Sequence, residues 1–226
     1  VVGTDDEYIY LIYDDGVIAD GFPFEGDGDF QSEPIILDIG GNKTIYAGSK
    51  GGTFYGINQS GEADLIFETS DDIMVSPSIL ELDTFGPIIF FGNDDGELHA
   101  ITSSGLTLDG FPIIFDSEVV SSPLFSDFNS DGLVEVVVAT ANGRLNIIGL
   151  DGEHYTNSPF EYSFPYTGNA HIVDLDTDGD LEIFCGSADG LNGFDIKTSG
   201  NSNDYWSDFR GGPKRDGYYQ SNFSGV

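Results

Sequence analysis

The sequence has one cysteine, Cys185, so no disulfide can form within the chain. It lies in the apolar run Leu181-Glu182-Ile183-Phe184-Cys185, where it reads as a core thiol rather than a nucleophile. Cations are scarce as well: seven Lys and Arg stand against forty Asp and Glu, for a formal net charge of -33. Such a surface repels nucleic acid and anionic lipid, so neither is expected as a partner. The three histidines, His99, His154 and His171, belong to no HExxH, Cys–His or nucleophile-elbow pattern. A Gly-rich phosphate loop is missing too. No apolar run approaches about 20 residues, so membrane insertion is not expected. No segment holds a 3.6-residue apolar period, which leaves almost no helix to expect. Triplets of the form Asn-x-Ser/Thr occur at Asn42, Asn58 and Asn222, but they arise too easily by chance to carry weight.

What the chain does have is a core and many turns. Hydrophobic residues make up 39% and aromatics 13%, which separates it from disordered chains, and 31 glycines mark turns and close backbone approaches. One phrase recurs: an apolar run, a small polar turn with Gly, then an alternating strand. It reads Ile88-Ile89-Phe90-Phe91-Gly92 before Asp95-Gly96 and Leu98-His99-Ala100-Ile101. It returns around Tyr46 to Ile57, around Val136 to Ile147, from Glu182 to Ile196, and less regularly from Val1 to Ile12. The pairs Glu33-Pro34, Ser76-Pro77 and Ser122-Pro123 keep step with it, as do Asp20-Gly21-Phe22-Pro23 and Asp109-Gly110-Phe111-Pro112. Acidic positions Asp38, Glu81, Asp127 and Asp174 follow one another at 43, 46 and 47 residues.

A period in the forties with about four short strands predicts an all-β fold, a β-propeller of four-stranded blades. A sheet that small cannot cover both its faces, and stacking around an axis buries them. The repeats divide the chain into blades at about 1–31 (partial, lacking its inner strand), 32–74, 75–120, 121–167 and 168–200, with a closing segment at 201–226. About five blades are expected. Because the opening Val1-Val2-Gly3-Thr4 already reads as mid-repeat strand, the chain is expected to be a mature or truncated product and the C-terminal part of a larger propeller; a five-bladed ring is the alternative.

Two repeats carry a metal-loop pattern. The first is Asp127-Phe128-Asn129-Ser130-Asp131-Gly132-Leu133-Val134-Glu135, the second Asp174-Leu175-Asp176-Thr177-Asp178-Gly179-Asp180-Leu181-Glu182. Oxygen donors at alternate positions converge if the backbone curls, Gly allows the sharp turn, and the next residue, Leu133 or Asp180, offers its carbonyl. The set fits Ca2+, which takes 6–8 oxygens in loose geometry, and not zinc, which prefers His and Cys. The closing acid at the ninth position and the flanking strands exclude an EF-hand. The first two repeats, at Asp38 and Glu81, lose most of the acids and are expected to hold no tight site.

On these repeats and loops the chain resembles the FG-GAP/VCBS family, whose propellers include integrin α heads and many bacterial surface proteins. The likeness runs from Val1 to about Ile196. It implies structural calcium at Asp127, Asn129, Asp131 and Glu135 and at Asp174, Asp176, Asp178 and Glu182, and a secreted or cell-surface location. Ser-Pro and Gly-Phe-Pro stand where the family's naming elements would be, which favours the bacterial branch. The closing segment, with Trp206, Arg210, Lys214, Arg215, Tyr218 and Tyr219, is expected to pack its aromatics on the last blade and pair its cations with the acidic body. The expected function is a non-catalytic extracellular module for adhesion, surface assembly or protein or carbohydrate binding. Two alternatives stand beside it: an accessory propeller of a secreted polysaccharide-degrading or other enzyme, and a fibre or sheath subunit. The last would self-associate through an open blade edge completed by a neighbour's strand.

Overall fold

The computed structural model describes residues 1–203, 205–212 and 214–223; parts of the closing segment, among them Ser224 of the Asn222 triplet, lie outside these. The chain is all-β, and among the described residues the one helical turn is a 3-10 turn at Phe209–Gly211. Five sheets follow one another along the chain. The first holds β1 (Val2–Gly3), β2 (Tyr8–Tyr10) and β3 (Phe24–Glu25). The second is built from β4 (Ile35–Ile39), β5 (Asn42–Gly48), β6 (Thr53–Ile57) and β7 (Ala63–Glu68). The third has β8 (Ser78–Leu82), β9 (Gly86–Gly92), β10 (Glu97–Thr102) and β11 (Ile113–Ile114). The fourth has β12 (Leu124–Ser126), β13 (Glu135–Thr140), β14 (Arg144–Gly149) and β15 (Phe160–Glu161). The fifth has β16 (Tyr166–Val173), β17 (Asp180–Ser187) and β18 (Gly190–Ser199). Within each, consecutive strands pair antiparallel.

The apolar runs become the middle of this stack. Every residue of β9 and β13 is buried, because both faces of a central sheet are covered by neighbours. Phe91 stacks on Phe54 of the second sheet at 4.0 Å and 3°, and Phe90 meets Phe125 of the fourth at 4.9 Å. The joints between sheets repeat. The amides of Lys50, Asp94, Ala141 and Ala188 donate to the carbonyls of Asp29, Asp72, Glu118 and Pro165, at 2.9, 3.0, 3.0 and 3.0 Å. Beside two of these joints the chain has glycine for want of space. A Cβ on Gly48 would lie 2.1 Å from Ile73 Cγ2, and one on Gly92 would lie 2.4 Å from Val119 Cγ1.

The structure departs from the expected pattern in two places. The first sheet, expected to lack a strand, has three; four-stranded blades were expected after it, yet the fifth sheet has three strands and the second has five. The fifth strand of the second sheet is the second departure. The closing segment does not stop on the last sheet. It runs along the leading strands of several sheets: Asn201 exchanges backbone bonds with Asp127, Phe125 N donates to Trp206 O, and Ile172 N donates to Ser207 O. It ends as β19 (Tyr218–Ser221), paired parallel with β4. Trp206 is buried under this path, 6.2 Å from Tyr219. Among the described residues the cation Arg210 finds no carboxylate; it donates to the carbonyls of Arg215 and Asp216 at 3.1 and 3.2 Å. Backbone pairing along open leading strands outweighs the exposed ion pairs that charge counting favoured, because such pairs contribute little in water.

Candidate metal centre

Both acidic loops cross from the leading strand of a sheet to its second strand, β12 to β13 and β16 to β17. They share a backbone shape. Ser130 and Gly132 have φ of 55° and 84°, and Thr177 and Gly179 have 64° and 94°. A Cβ at Gly132 or Gly179 would meet nothing, so positive φ is what calls for glycine there. The closing acid locks each loop in the same way: Glu135 Oε2 accepts from Phe128 N at 3.0 Å, and Glu182 Oε2 from Leu175 N at 2.6 Å.

The second loop brings acids together. Asp176, Asp178, Asp180 and Glu182 each place a carboxylate oxygen within 4.8 Å of the others. Asp180 had been assigned only a carbonyl, but its side chain joins the cluster. Asp174 is not among these four; its Oδ2 accepts from Gly179 N at 3.2 Å. Two buried oxygens, Asp174 Oδ1 and Asp180 Oδ1, have no hydrogen-bond partner. A buried carboxylate oxygen without a donor is costly, and a hard cation would satisfy it. The electrostatics agree. A hydrogen bond that the Asp180 carboxyl donates to Asp178, together with burial and the Asp178 charge, pushes Asp180 up to about 6. Asp178 is held low, first by that same hydrogen bond. Lys197 approaches from β18, ion-paired with Asp195 and 3.8 Å from Asp180. Its place was not legible from the loop pattern; the pairing of Asp180 with Ser199 brings that end of β18 alongside.

The first loop is arranged differently. Both oxygens of Asp127 are committed to amides: Oδ1 accepts from Asn129 N and Asp131 N at 3.3 and 3.2 Å, Oδ2 from Gly132 N at 2.8 Å. Asn129 donates from Nδ2 to Asp131 at 3.0 Å, and Asp131 Oδ1 accepts from Leu133 N at 2.8 Å. Asp127, Asp131 and Glu135 do not converge as the second-loop acids do. Glu135 is pushed up to about 7 by burial, with the charges of Asp127 and Asp131 adding and the Phe128 amide opposing. A groove of about 670 Å³ opens beside this loop, between Leu133 and Glu135 on one side and Asp151 and His154 on the other.

One short stretch holds both loops. Thr198 Oγ1 donates to Phe128 O, Ser130 Oγ to Ser199 O, and Gly200 N to Gly179 O, at 2.8, 3.0 and 3.0 Å. Elsewhere, Asp38 accepts from Gly41 N and Tyr218 Oη, both at 2.7 Å. His99 is buried, stacked on Phe91 and 3.1 Å from Glu97.

The comparisons agree with this picture. Residues 127–185, which span both loops, match the FG-GAP-like repeat model. No curated protein sequence matches the chain. Among solved structures, Saccharomyces cerevisiae Sqt1 is similar with a TM-score of 0.62 at 18% identity, over 87% of this chain and 55% of that one. BBS1N, solved in complex with ARL6DN, is similar with a TM-score of 0.57 at 16% identity, over 88% of this chain and 61% of its own. A Bacteroides caccae protein has a TM-score of 0.55 at 14% identity, over 88% and 69%. These likenesses show the fold, which is β-propeller-like.

Proposed function

We propose, from the FG-GAP-like repeat that this chain carries, that it is a non-catalytic, calcium-binding module of propeller type. Its five sheets are blades of an incomplete ring, and it works outside the cell by presenting loops to a protein or carbohydrate partner. The observation that carries this reading is the four-acid cluster of the second loop, with its unpartnered buried oxygens. All its donors are hard oxygens, the chemistry that selects calcium over zinc. Asp176, Asp178, Asp180 and Glu182 hold one ion, with Asp174 Oδ1 alongside. The first loop, through Asn129, Asp131, Glu135, the Leu133 carbonyl and Asp127, holds the second.

The cation neutralises the cluster and fixes the hairpin, which is a structural role. The histidines are dispersed: His99 lies in the third sheet, His154 beside Ser158 near the fourth, and His171 on the fifth against Asp208. None touches the acidic cluster of the second loop. Among the described residues no helix is long and apolar enough to cross a membrane.

Calorimetric titration of the chain with calcium chloride tests the reading. Two sites are expected, and the one in the second loop disappears in an Asp176→Asn/Asp178→Asn variant. Absence of any heat of binding would remove the assignment.

A further inference from the structure

His99 is the one histidine buried in a joint between sheets, 5% exposed, while His154 and His171 are exposed. Its ring stacks on Phe91 of β9 at 5.1 Å and 15° and meets Phe67 of β7, in the second sheet, edge-on at 5.6 Å and 75°. Phe91 in turn stacks on Phe54, so the imidazole belongs to the aromatic column that joins the second and third sheets. Counted from the hairpin glycines Gly52, Gly96 and Gly143, all at positive φ, the same position is Tyr55 in the second sheet and Asn146 in the fourth. The repeat accepts a phenol or an amide there, so packing does not demand an imidazole.

The two ring nitrogens have opposite surroundings. Nε2 lies 3.1 Å from Glu97 Oε2, and that same oxygen accepts from Ser70 Oγ at 2.8 Å and Asn93 Nδ2 at 2.7 Å. An oxygen that gathers these donors is an ionised acceptor, so the ring proton sits on Nε2. Ser70 lies between β7 and β8, so the carboxylate also ties the outer end of the second sheet to the third. Nδ1 is buried and, among the described residues, has no hydrogen-bond partner. A second proton there would make a buried N–H without an acceptor, on a ring taken out of water. Phe67 and Phe91, which face the ring from their strands, carry no charge, and Glu97 on its own strand is the one charged group among the described residues that acts on it. Burial outweighs that charge and holds His99 below the ordinary 6.5.

We propose that this joint is an acid-sensitive latch: neutral His99 and ionised Glu97 hold the second sheet to the third, and a second proton on the imidazole releases it. The latch rests on the joint alone and not on the calcium reading. Its sign follows from linkage. The unfolded chain takes up the proton near 6.5 and the folded chain only at lower pH. Stability from this group is therefore whole above about 6.5, falls as the pH drops below that, and stops falling beneath the folded value. Mild acid thus loosens one joint of the stack and leaves the others, whose equivalent positions hold Tyr55 and Asn146, unaffected by this route.

Urea denaturation of the parent and of His99→Asn, in chelator from about pH 7.5 to about pH 5, tests this. The ratio of the variant's unfolding constant to the parent's should fall below about pH 6.5, by up to about tenfold per pH unit, because only the parent takes up this proton on unfolding. Asp94, Glu135 and Asp180, which titrate near this window, are present in both proteins and cancel in the ratio. Amide hydrogen exchange locates the release: in the parent, protection of β10 should fall with acid before that of β13, and in the variant the two should keep step. Nuclear magnetic resonance of the parent should find the His99 ring still more than half neutral at pH 6.5. A ring half-protonated at or above that pH overturns the proposal. So does a ratio that does not change with pH, and so does protection lost evenly across the sheets. His99→Tyr, which copies the second sheet, stands in if His99→Asn does not fold, and the ring titration needs no variant.

Discussion

Replacing Asp178 with Asn separates what the second loop does with a cation from what it does without one. Asp178 is exposed and belongs to the four-acid cluster. Without metal, it shares a hydrogen bond with Asp180, whose carboxyl is raised to about 6 in consequence. Removing its charge relieves that crowding, so the metal-free variant should melt at the same temperature as the parent or higher. With calcium the sign reverses, because a ligand is lost. A site held at a hundredfold excess over its Kd adds about 2.7 kcal/mol to stability. Unfolding a chain of 226 residues carries an entropy of about 0.5 kcal/mol/K. One saturated site is therefore worth about 6 °C of melting temperature. Differential scanning calorimetry of parent and variant, each in calcium and in chelator, reads all four values. The parent should lose about 6 °C per site on chelation, and the variant most of one site's share in calcium. Equal melting of the parent in calcium and chelator would refute the reasoning, as would a variant that melts lower than the parent in chelator.

Phe54→Ala, which removes a fully buried ring from the joint with Phe91, should cost about 3–5 kcal/mol in urea denaturation. Asp94 is raised to about 6, first by burial and then by Glu118, Asp72 and Asp71. The folded state therefore holds its proton more tightly than the unfolded chain, and stability falls as pH rises from about 4 through about 6. Asp94→Asn should accordingly stabilise the protein at pH 7 and have little effect at pH 4; denaturation at both values checks this. Trp206 is the single tryptophan and is 3% exposed, so native emission should be blue-shifted and should move to the red together with loss of the far-ultraviolet strand signal. An earlier red shift would mean that the closing segment leaves before the sheets unfold.

The repeat and its strands were legible because both-face burial writes itself as continuous apolar runs such as Ile88-Ile89-Phe90-Phe91, while turn glycines punctuate them. The acid cluster of the second loop was legible because alternate acids around a Gly at positive φ bring carboxylates together where the chain turns. What failed to show lay in long-range geometry. The spacing assigned Asp180 a carbonyl, but a side chain's direction depends on where β17 begins, and β17 takes in Asp180 itself. Lys197 sits beside the cluster only because β18 folds back along β17. The route of the closing segment was hidden for the same reason: Tyr218 to Ser221 show no strand partner in sequence, and β4 lies some 180 residues earlier.

The stretch 198–201 has a consequence for how the parts communicate. It touches the first loop through Thr198, Ser199 and Asn201, touches the second through Gly200, and leads straight into the segment that carries Trp206. The two proposed ion sites and the docked tail share one tether, so ions bound there would be thermodynamically linked to the tail. Whatever firms the hold on an ion at either hairpin steadies the tail's departure point, and a tail prised from β4 returns the same free energy as weaker ion affinity.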